Sequence, residues 1–276
     1  MSRARITGAV RVGGIVGHPV AHSLSPVIHN GWIEAAGLDA VYVAFSPTDA
    51  AGFETLVAAG RAGLLSGVNV TAPFKEQAFR LADAASETAR ESSSANILVF
   101  RDGGVRADST DGVGLLWALQ RQAPGLSLAG SPVVLLGAGG AARAAAATLA
   151  GAGALVRIVN RTRARAEALA ADLGGSVTVA EGPAAFEGAA LVVNALSARP
   201  EIDLATLDPA TTVMDMTYRP VITPFLQAAR AAGLVTVDGL AMLIGQAGPS
   251  FEAIFGTPPP DVDPRPGLLA HLGETA

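Results

Sequence analysis

Val133-Val134-Leu135-Leu136-Gly137-Ala138-Gly139-Gly140-Ala141-Ala142 is the stretch that decides the architecture of this 276-residue chain. Four apolar residues read as a buried strand, the glycines as a tight turn, and the alanines as the opening of a helix. A G-x-G-x-x-A pattern in that setting is the fingerprint of a dinucleotide site. Gly137 permits the turn, Gly139 lets a pyrophosphate approach the backbone, and the helix N-terminus supplies N–H donors and the positive end of its dipole. Gly137, Ala138, Gly139, Gly140 and Ala141 are therefore candidate cofactor contacts. A glycine-rich turn that binds nothing has the same letters.

Downstream, Leu155 to Val159, Leu191 to Asn194, Thr212 to Met216 and Leu234 to Val237 read as further strands, with helices filling the gaps. Parallel strands need crossovers of this length, which predicts a doubly wound Rossmann-like sheet. The second strand runs into Asn160-Arg161-Thr162. An enzyme that uses NAD usually places Asp or Glu there for the ribose 2′-hydroxyl. Here the carboxylate is missing, and Arg161, with Arg163 and Arg165 behind it, offers charge-assisted bonds to a 2′-phosphate. The expected cofactor is NADP(H), with Asn160, Arg161, Thr162 and Arg165 as contacts. The alternative is a solvated first helical turn, in which cations oppose the dipole.

Upstream, Val12 to Val16 reads as a strand, followed by a helix after Pro26, a strand from Val41 to Phe45 and a helix from about Asp49. Another strand ends at Val70, and a helix spans about Phe74 to Ala84. Asn96 to Phe100, Arg101-Asp102-Gly103-Gly104 and Val105 onward read as a hairpin. Strand and helix alternate throughout, so the fold class is α/β. The length suits two domains: residues 1–110, joined by a C-terminal helix over 245–276, and residues 111–244 as the dinucleotide-binding domain. A last helix, about Gly239 to Phe255, follows the final strand and can return to the first domain, and the Pro-rich tail after Gly256 reads as a solvated end.

Composition narrows the function. Half the residues are hydrophobic, with 32 Gly and 17 Pro, as in a turn-rich globular protein. Net charge is −5 and no basic cluster is interleaved with aromatics, which argues against nucleic acid. The absence of cysteine removes disulfides, thiolate metal sites and a Cys nucleophile, and fits a reducing cytoplasm. Mean hydropathy is +0.41, yet Arg143 and several glycines interrupt the most apolar stretch, Val133 to Val156. No span of about twenty apolar residues results. Gly13, Gly14, Gly17 and Pro19 break any signal core behind Arg3 and Arg5, so no targeting segment and no membrane partner are expected.

The reaction site reads from three polar segments. In His22-Ser23-Leu24-Ser25-Pro26, Pro26 biases Ser25 towards an extended backbone, suits the first helical turn, and leaves Ser25 as N-cap. Two hydroxyls beside a helix N-terminus suit a carboxylate, although capping alone also explains Ser25. Gly67-Val68-Asn69-Val70-Thr71-Ala72-Pro73-Phe74-Lys75-Glu76 puts a lysine into a first helical turn. The dipole there eases proton loss from an amine that transfers protons; an ordinary solvated lysine is the other reading. Asp108-Ser109-Thr110-Asp111-Gly112 offers Asp111 as a partner for Lys75 or, with Thr110, as a helix cap.

Together these segments resemble the shikimate dehydrogenases. Further matching pieces are Gly17-His18-Pro19-Val20-Ala21 before the serines, Asp215-Met216-Thr217-Tyr218-Arg219-Pro220, and Asp238-Gly239-Leu240-Ala241-Met242-Leu243 through Gln246-Ala247. The resemblance covers nearly the whole chain. It implies NADPH-dependent, reversible reduction of 3-dehydroshikimate to shikimate, a step of chorismate and aromatic amino acid biosynthesis, by a cytoplasmic monomer or homodimer without a metal. It implies that Ser23 and Ser25 hold the substrate carboxylate, that Asn69, Thr71, Asn96, Asp111, Tyr218 and Gln246 surround its ring, and that Lys75 and Asp111 are the catalytic pair, both also touching substrate. Met216 and Gly239 are expected beside the nicotinamide, with Glu87 also near the cofactor. Three departures from the family pattern concern Ile97 in place of Thr, Asp108-Ser109 in place of Gly-Asn, and Leu196 in place of Thr in Asn194-Ala195-Leu196-Ser197. A quinate/shikimate enzyme using either cofactor and a non-catalytic NADP or metabolite sensor are the competing readings; retention of Lys75 and Asp111 argues against the sensor.

Overall fold

Two six-stranded sheets organise the protein. The computed structural model describes residues 6–196 and 198–274, so Arg3, Arg5 and Ser197 lie outside the described residues. The chain divides into two compact units, Met1–Thr110 with Gln246–Ala276, and Asp111–Gly245.

In the first unit, β1 (Arg11–Val16), α1 (Ser25–Ala35), β2 (Ala40–Phe45), α2 (Ala50–Arg61) and β3 (Gly67–Val70) form a parallel layer. Then come α3 (Lys75–Leu81), β4 (Ala84–Ala85), α4 (Glu87–Ser92), β5 (Ile97–Arg101) and β6 (Gly104–Asp108). The hairpin β5–β6 adds antiparallel to β3, giving the order β2-β1-β3-β5-β6-β4. Asp102 and Gly103 turn it at φ of 50° and 76°, the left-handed pair that matches strand twist in a two-residue loop. Asp49 starts α2 by accepting from the Gly52 N–H at 2.8 Å. Under one face of the sheet, Phe53 and Phe74 stack at 4.9 Å in a core with Val16, Val68 and Leu98.

The second unit contains α5 (Asp111–Gln122), β7 (Pro132–Leu136), α6 (Gly140–Gly151), β8 (Leu155–Val159), α7 (Arg163–Leu173), β9 (Val177–Val179), β10 (Leu191–Asn194), β11 (Thr212–Asp215), α8 (Pro224–Ala231) and β12 (Val235–Val237). Every strand pair is parallel, in the order β12-β11-β10-β7-β8-β9. Strand order reverses between β7 and β10, the point at which ligands bind in open α/β sheets. The short β9 was not anticipated; three residues carry too little alternation to stand out.

α9 (Gly239–Phe255) starts in the second unit and ends in the first, and α10 (Arg265–Leu272) follows. The last helix expected at about Gly239 to Phe255 is α9, whereas the helical segment over 245–276 expected to join the first domain is two helices with a proline-rich loop between them. Nor is the tail a solvated end: Leu268 and Leu269 are buried, and the Trp32 indole N–H donates to the Val262 carbonyl at 3.0 Å. Gly256, at φ +72°, follows the last residue of α9, and the prolines beyond it do not prevent burial.

Candidate active site

Sheet register gathers the first unit's polar residues. Ile15 lies beside Asn69, Asn69 opposite Ile97, and Ile97 opposite Asp108. The C-terminal ends of β1, β3 and β6 therefore share one sheet edge with the N-terminal end of β5. Ser23 and Ser25 follow β1, Thr71 and Lys75 follow β3, Asn96 precedes β5, and Thr110 follows β6.

At α1 the local structure corrects one expectation. Ser25 is the first helical residue; Leu24, with φ −90° and ψ −7°, occupies the N-cap position. Ser23 Oγ accepts from the Ser25 N–H at 3.3 Å. The backbone before Pro26 is already helical, and the preceding serine meets the freed N–H.

Asn69, Asn96 and Gln246 are brought together in one buried network. Asn96 Nδ2 donates to Thr110 Oγ1 at 3.0 Å and to Gln246 Oε1 at 3.4 Å, while Asn96 Oδ1 accepts from the Thr110 N–H at 2.8 Å. Thr110 thus spends its side chain on this network. Asn69 Nδ2 donates to Ser250 Oγ at 2.9 Å, and Ser250 Oγ donates to the Gln246 carbonyl at 3.0 Å. Lys75 opens α3, half-buried, and its carbonyl accepts from the Ala95 N–H at 3.0 Å. Thr71 accepts from Phe74 N–H in the turn leading to it.

Two residues of this network went unnoticed in the sequence, Tyr42 and Ser250. Tyr42 donates from its hydroxyl to Asn69 Oδ1 at 2.8 Å. Ser250 lies four residues after Gln246 and so on the same helix face, a spacing that marks it. His29 is also buried beside this network, stacked on Tyr42 with ring centroids 4.1 Å apart. Burial lowers its pKa to about 3, so the ring is neutral.

Asp111, Tyr218, Met216 and Gly239 belong to the second unit, while Glu87 is exposed in the first turn of α4 in the first unit. Gly137 follows β7 at φ +117°, a backbone that side chains resist, with Ala195 and Leu196 alongside. Gly139 precedes α6 at φ −95°. A Cβ on Gly139 or Gly140 would meet no protein atom within 4 Å. Protein packing therefore does not require glycine at either position. At Gly239 it does, because a Cβ there would lie 2.6 Å from the Met216 carbonyl oxygen. Asn160 Nδ2 donates to the Thr162 carbonyl at 2.8 Å, shaping the loop into α7. Arg163 is held by Glu167 at 2.7 Å and Glu181 at 2.9 Å. Arg161, Thr162 and Arg165 are exposed, and neither arginine is ion-paired among the described residues.

The departures from the expected pattern are also placed. Ile97 is fully buried at the start of β5, and the Ser109 N–H donates to Asp108 Oδ1 at 2.7 Å. Among the described residues, no group of acidic or histidine side chains is arranged to hold a metal, and no helix is long and apolar enough to cross a membrane.

Residues 15–98 match the shikimate dehydrogenase substrate binding domain, and residues 118–240 match shikimate/quinate 5-dehydrogenase. An NADP(+) shikimate dehydrogenase of Caulobacter vibrioides is 53% identical over 281 residues, covering 98% of each chain. Thermus thermophilus shikimate 5-dehydrogenase, crystallised with NADP(H) and shikimate, superposes with a TM-score of 0.83 at 34% identity, covering 92% of this chain and 96% of its own. A quinate dehydrogenase of Corynebacterium glutamicum in complex with NAD has a TM-score of 0.85 at 28% identity, covering 95% and 99%. With one relative more than half identical over almost its full length and both parts of the chain matched, the protein belongs to the shikimate dehydrogenase family.

Proposed function

We propose that this chain catalyses the NADPH-dependent, reversible reduction of 3-dehydroshikimate to shikimate, serving chorismate and aromatic amino acid biosynthesis in the cytoplasm as a monomer or homodimer. The observation that carries the reading is the gathering of Ser23, Ser25, Asn69, Thr71, Lys75 and Asn96 at one sheet edge of the first unit. In this reading the first unit holds the substrate and the second the cofactor. Ser23 and Ser25 take the carboxylate at the N-terminus of α1, where donors and dipole favour an anion. Asn69, Thr71, Asn96, Tyr218 and Gln246 surround the ring. Lys75 and Asp111 form the catalytic pair, moving a proton to or from the ketone oxygen.

The residues present fit NADPH, which supplies the hydride when bound. Open space over Gly139 and Gly140 leaves the α6 N-terminus free for a pyrophosphate. Arg161 and Arg165 suit the 2′-phosphate, with Asn160 and Thr162 shaping the loop. Met216 and Gly239 flank the nicotinamide position, and Glu87 is assigned near the cofactor.

The test is the initial rate of NADP+ and of NAD+ reduction with shikimate and, separately, with quinate. Shikimate with NADP+ is expected to be the preferred pair. Equal or better turnover with NAD+ would replace this reading with a quinate/shikimate enzyme, the activity for which the NAD-bound quinate dehydrogenase neighbour speaks.

A further inference from the structure

Partners on three sides fix which way the Asn69 amide faces. Its Nδ2 donates to Ser250 Oγ at 2.9 Å and to the Asn96 carbonyl at 3.3 Å, and its Oδ1 accepts from the Tyr42 hydroxyl at 2.8 Å. A backbone carbonyl can only accept, so the Asn96 oxygen must face the NH2 end of the amide. Both N–H bonds are then spent inside the protein. What remains is one lone pair on Oδ1.

Tyr42 is held firmly in this role. It is 2% exposed, and its ring lies 4° from parallel with the His29 imidazole. Burial pushes its phenol well above the ordinary tyrosine range, against the smaller opposing effect of a bond to the Ser25 side chain, so the hydroxyl keeps its proton and stays a donor. Ser250 anchors the other end of the amide from the helix α9 that also carries Gln246.

We propose that Tyr42 and Ser250 are positioning residues that lock Asn69 as a hydrogen-bond acceptor, so that it receives a bond from a ring hydroxyl of the substrate and offers none. The position thereby selects a substrate group that carries a proton to donate. An ether, a carbonyl oxygen or a fluorine at the same place leaves two acceptors facing each other. This inference rests on the assignment of Asn69 to the substrate made above and refines it.

The experiment compares Tyr42→Phe, which keeps the stacked ring and deletes the donor, with the wild-type enzyme. The KM for shikimate is expected to rise about tenfold, the scale of one lost hydrogen bond, with a smaller fall in kcat and the KM for NADP+ unmoved. Because Tyr42 also bonds the Ser25 side chain, the change is repeated in a Ser25→Ala background, where it should still raise the shikimate KM about tenfold, and in a Ser25→Ala/Asn69→Ala background, where it should add less than about twofold because its effect then passes through Asn69. Ser250→Ala removes one of the two partners of the Asn69 Nδ2 and should raise the shikimate KM in the same direction by a smaller factor, which keeps the test available if Tyr42→Phe does not fold. Equal losses with and without Asn69, a parallel rise in both KM values, or an unaltered shikimate KM in a folded variant would overturn the proposal while the reaction assignment stands. A wild-type enzyme inactive on shikimate would instead overturn the reaction assignment.

Discussion

His29 and Tyr42 lie ring on ring, with centroids 4.1 Å apart and planes 4° from parallel, and neither imidazole nitrogen has a hydrogen-bond partner among the described residues. The imidazole is completely buried, and desolvation lowers its pKa from 6.5 to about 3. Such a group is neutral in the folded protein and protonates below pH 6.5 once unfolded, so stability falls as the pH drops from about 6.5 towards 3. By pH 5 the loss from this residue is about 2 kcal/mol, at about 1.4 kcal/mol per pH unit. His29→Phe preserves the stack and removes the titration. Chemical denaturation of both proteins at pH 5 and pH 7.5 should show the variant gaining on the wild type at the lower pH; curves that stay parallel would count against it.

Gly139 and Gly137 predict opposite outcomes for the same substitution. Gly139 has an ordinary backbone and no protein atom near its missing Cβ, so Gly139→Ala should change stability by no more than about 1 kcal/mol. It should nonetheless weaken NADPH at least about tenfold by holding the pyrophosphate off the helix. Gly137 sits at φ +117°, so Gly137→Ala should cost about 1–3 kcal/mol of folding stability. Thermal unfolding and cofactor titration together separate the two effects. Unchanged NADPH affinity in a folded Gly139→Ala would remove the glycine turn from the cofactor site.

Arg161 is free of the ion pairs that occupy Arg163. Arg161→Ala is therefore expected to cost about 1.5–3 kcal/mol of NADPH binding, the worth of a charge-assisted contact, and far less of NADH binding. Calorimetric titration with both cofactors checks this. Equal losses would mean that Arg161 does not read the 2′-phosphate.

The sequence-legible parts are those with long periodic signals. β7 is a continuous apolar run, β8 and β10 are mostly apolar with Arg157 and Asn194 as their polar members, and the glycine turn lies between β7 and α6 as expected. Partnerships across the fold were not legible. The β-branched and aromatic run in Ala40–Phe45 marks Tyr42 as a strand residue but says nothing of Asn69, 27 positions away, to which it donates. Ser25 was misread because the proline rule concerns the local backbone, whereas here the turn at Leu24 is already helical and Ser23 supplies the oxygen. The tail was misread because proline content conceals Leu268 and Leu269, whose burial depends on the fold of the first unit.

Lys75 opens α3 at the sheet edge where the other polar residues collect, and its role as the proton-transferring group has a direct test. NADP+ reduction by shikimate is measured for the wild type and for Lys75→Ala, alongside calorimetric binding of shikimate to each. The wild type should turn over, and the variant should lose activity by about a hundredfold to ten-thousandfold while still binding shikimate. Retention of most of the rate by Lys75→Ala would contradict the catalytic assignment.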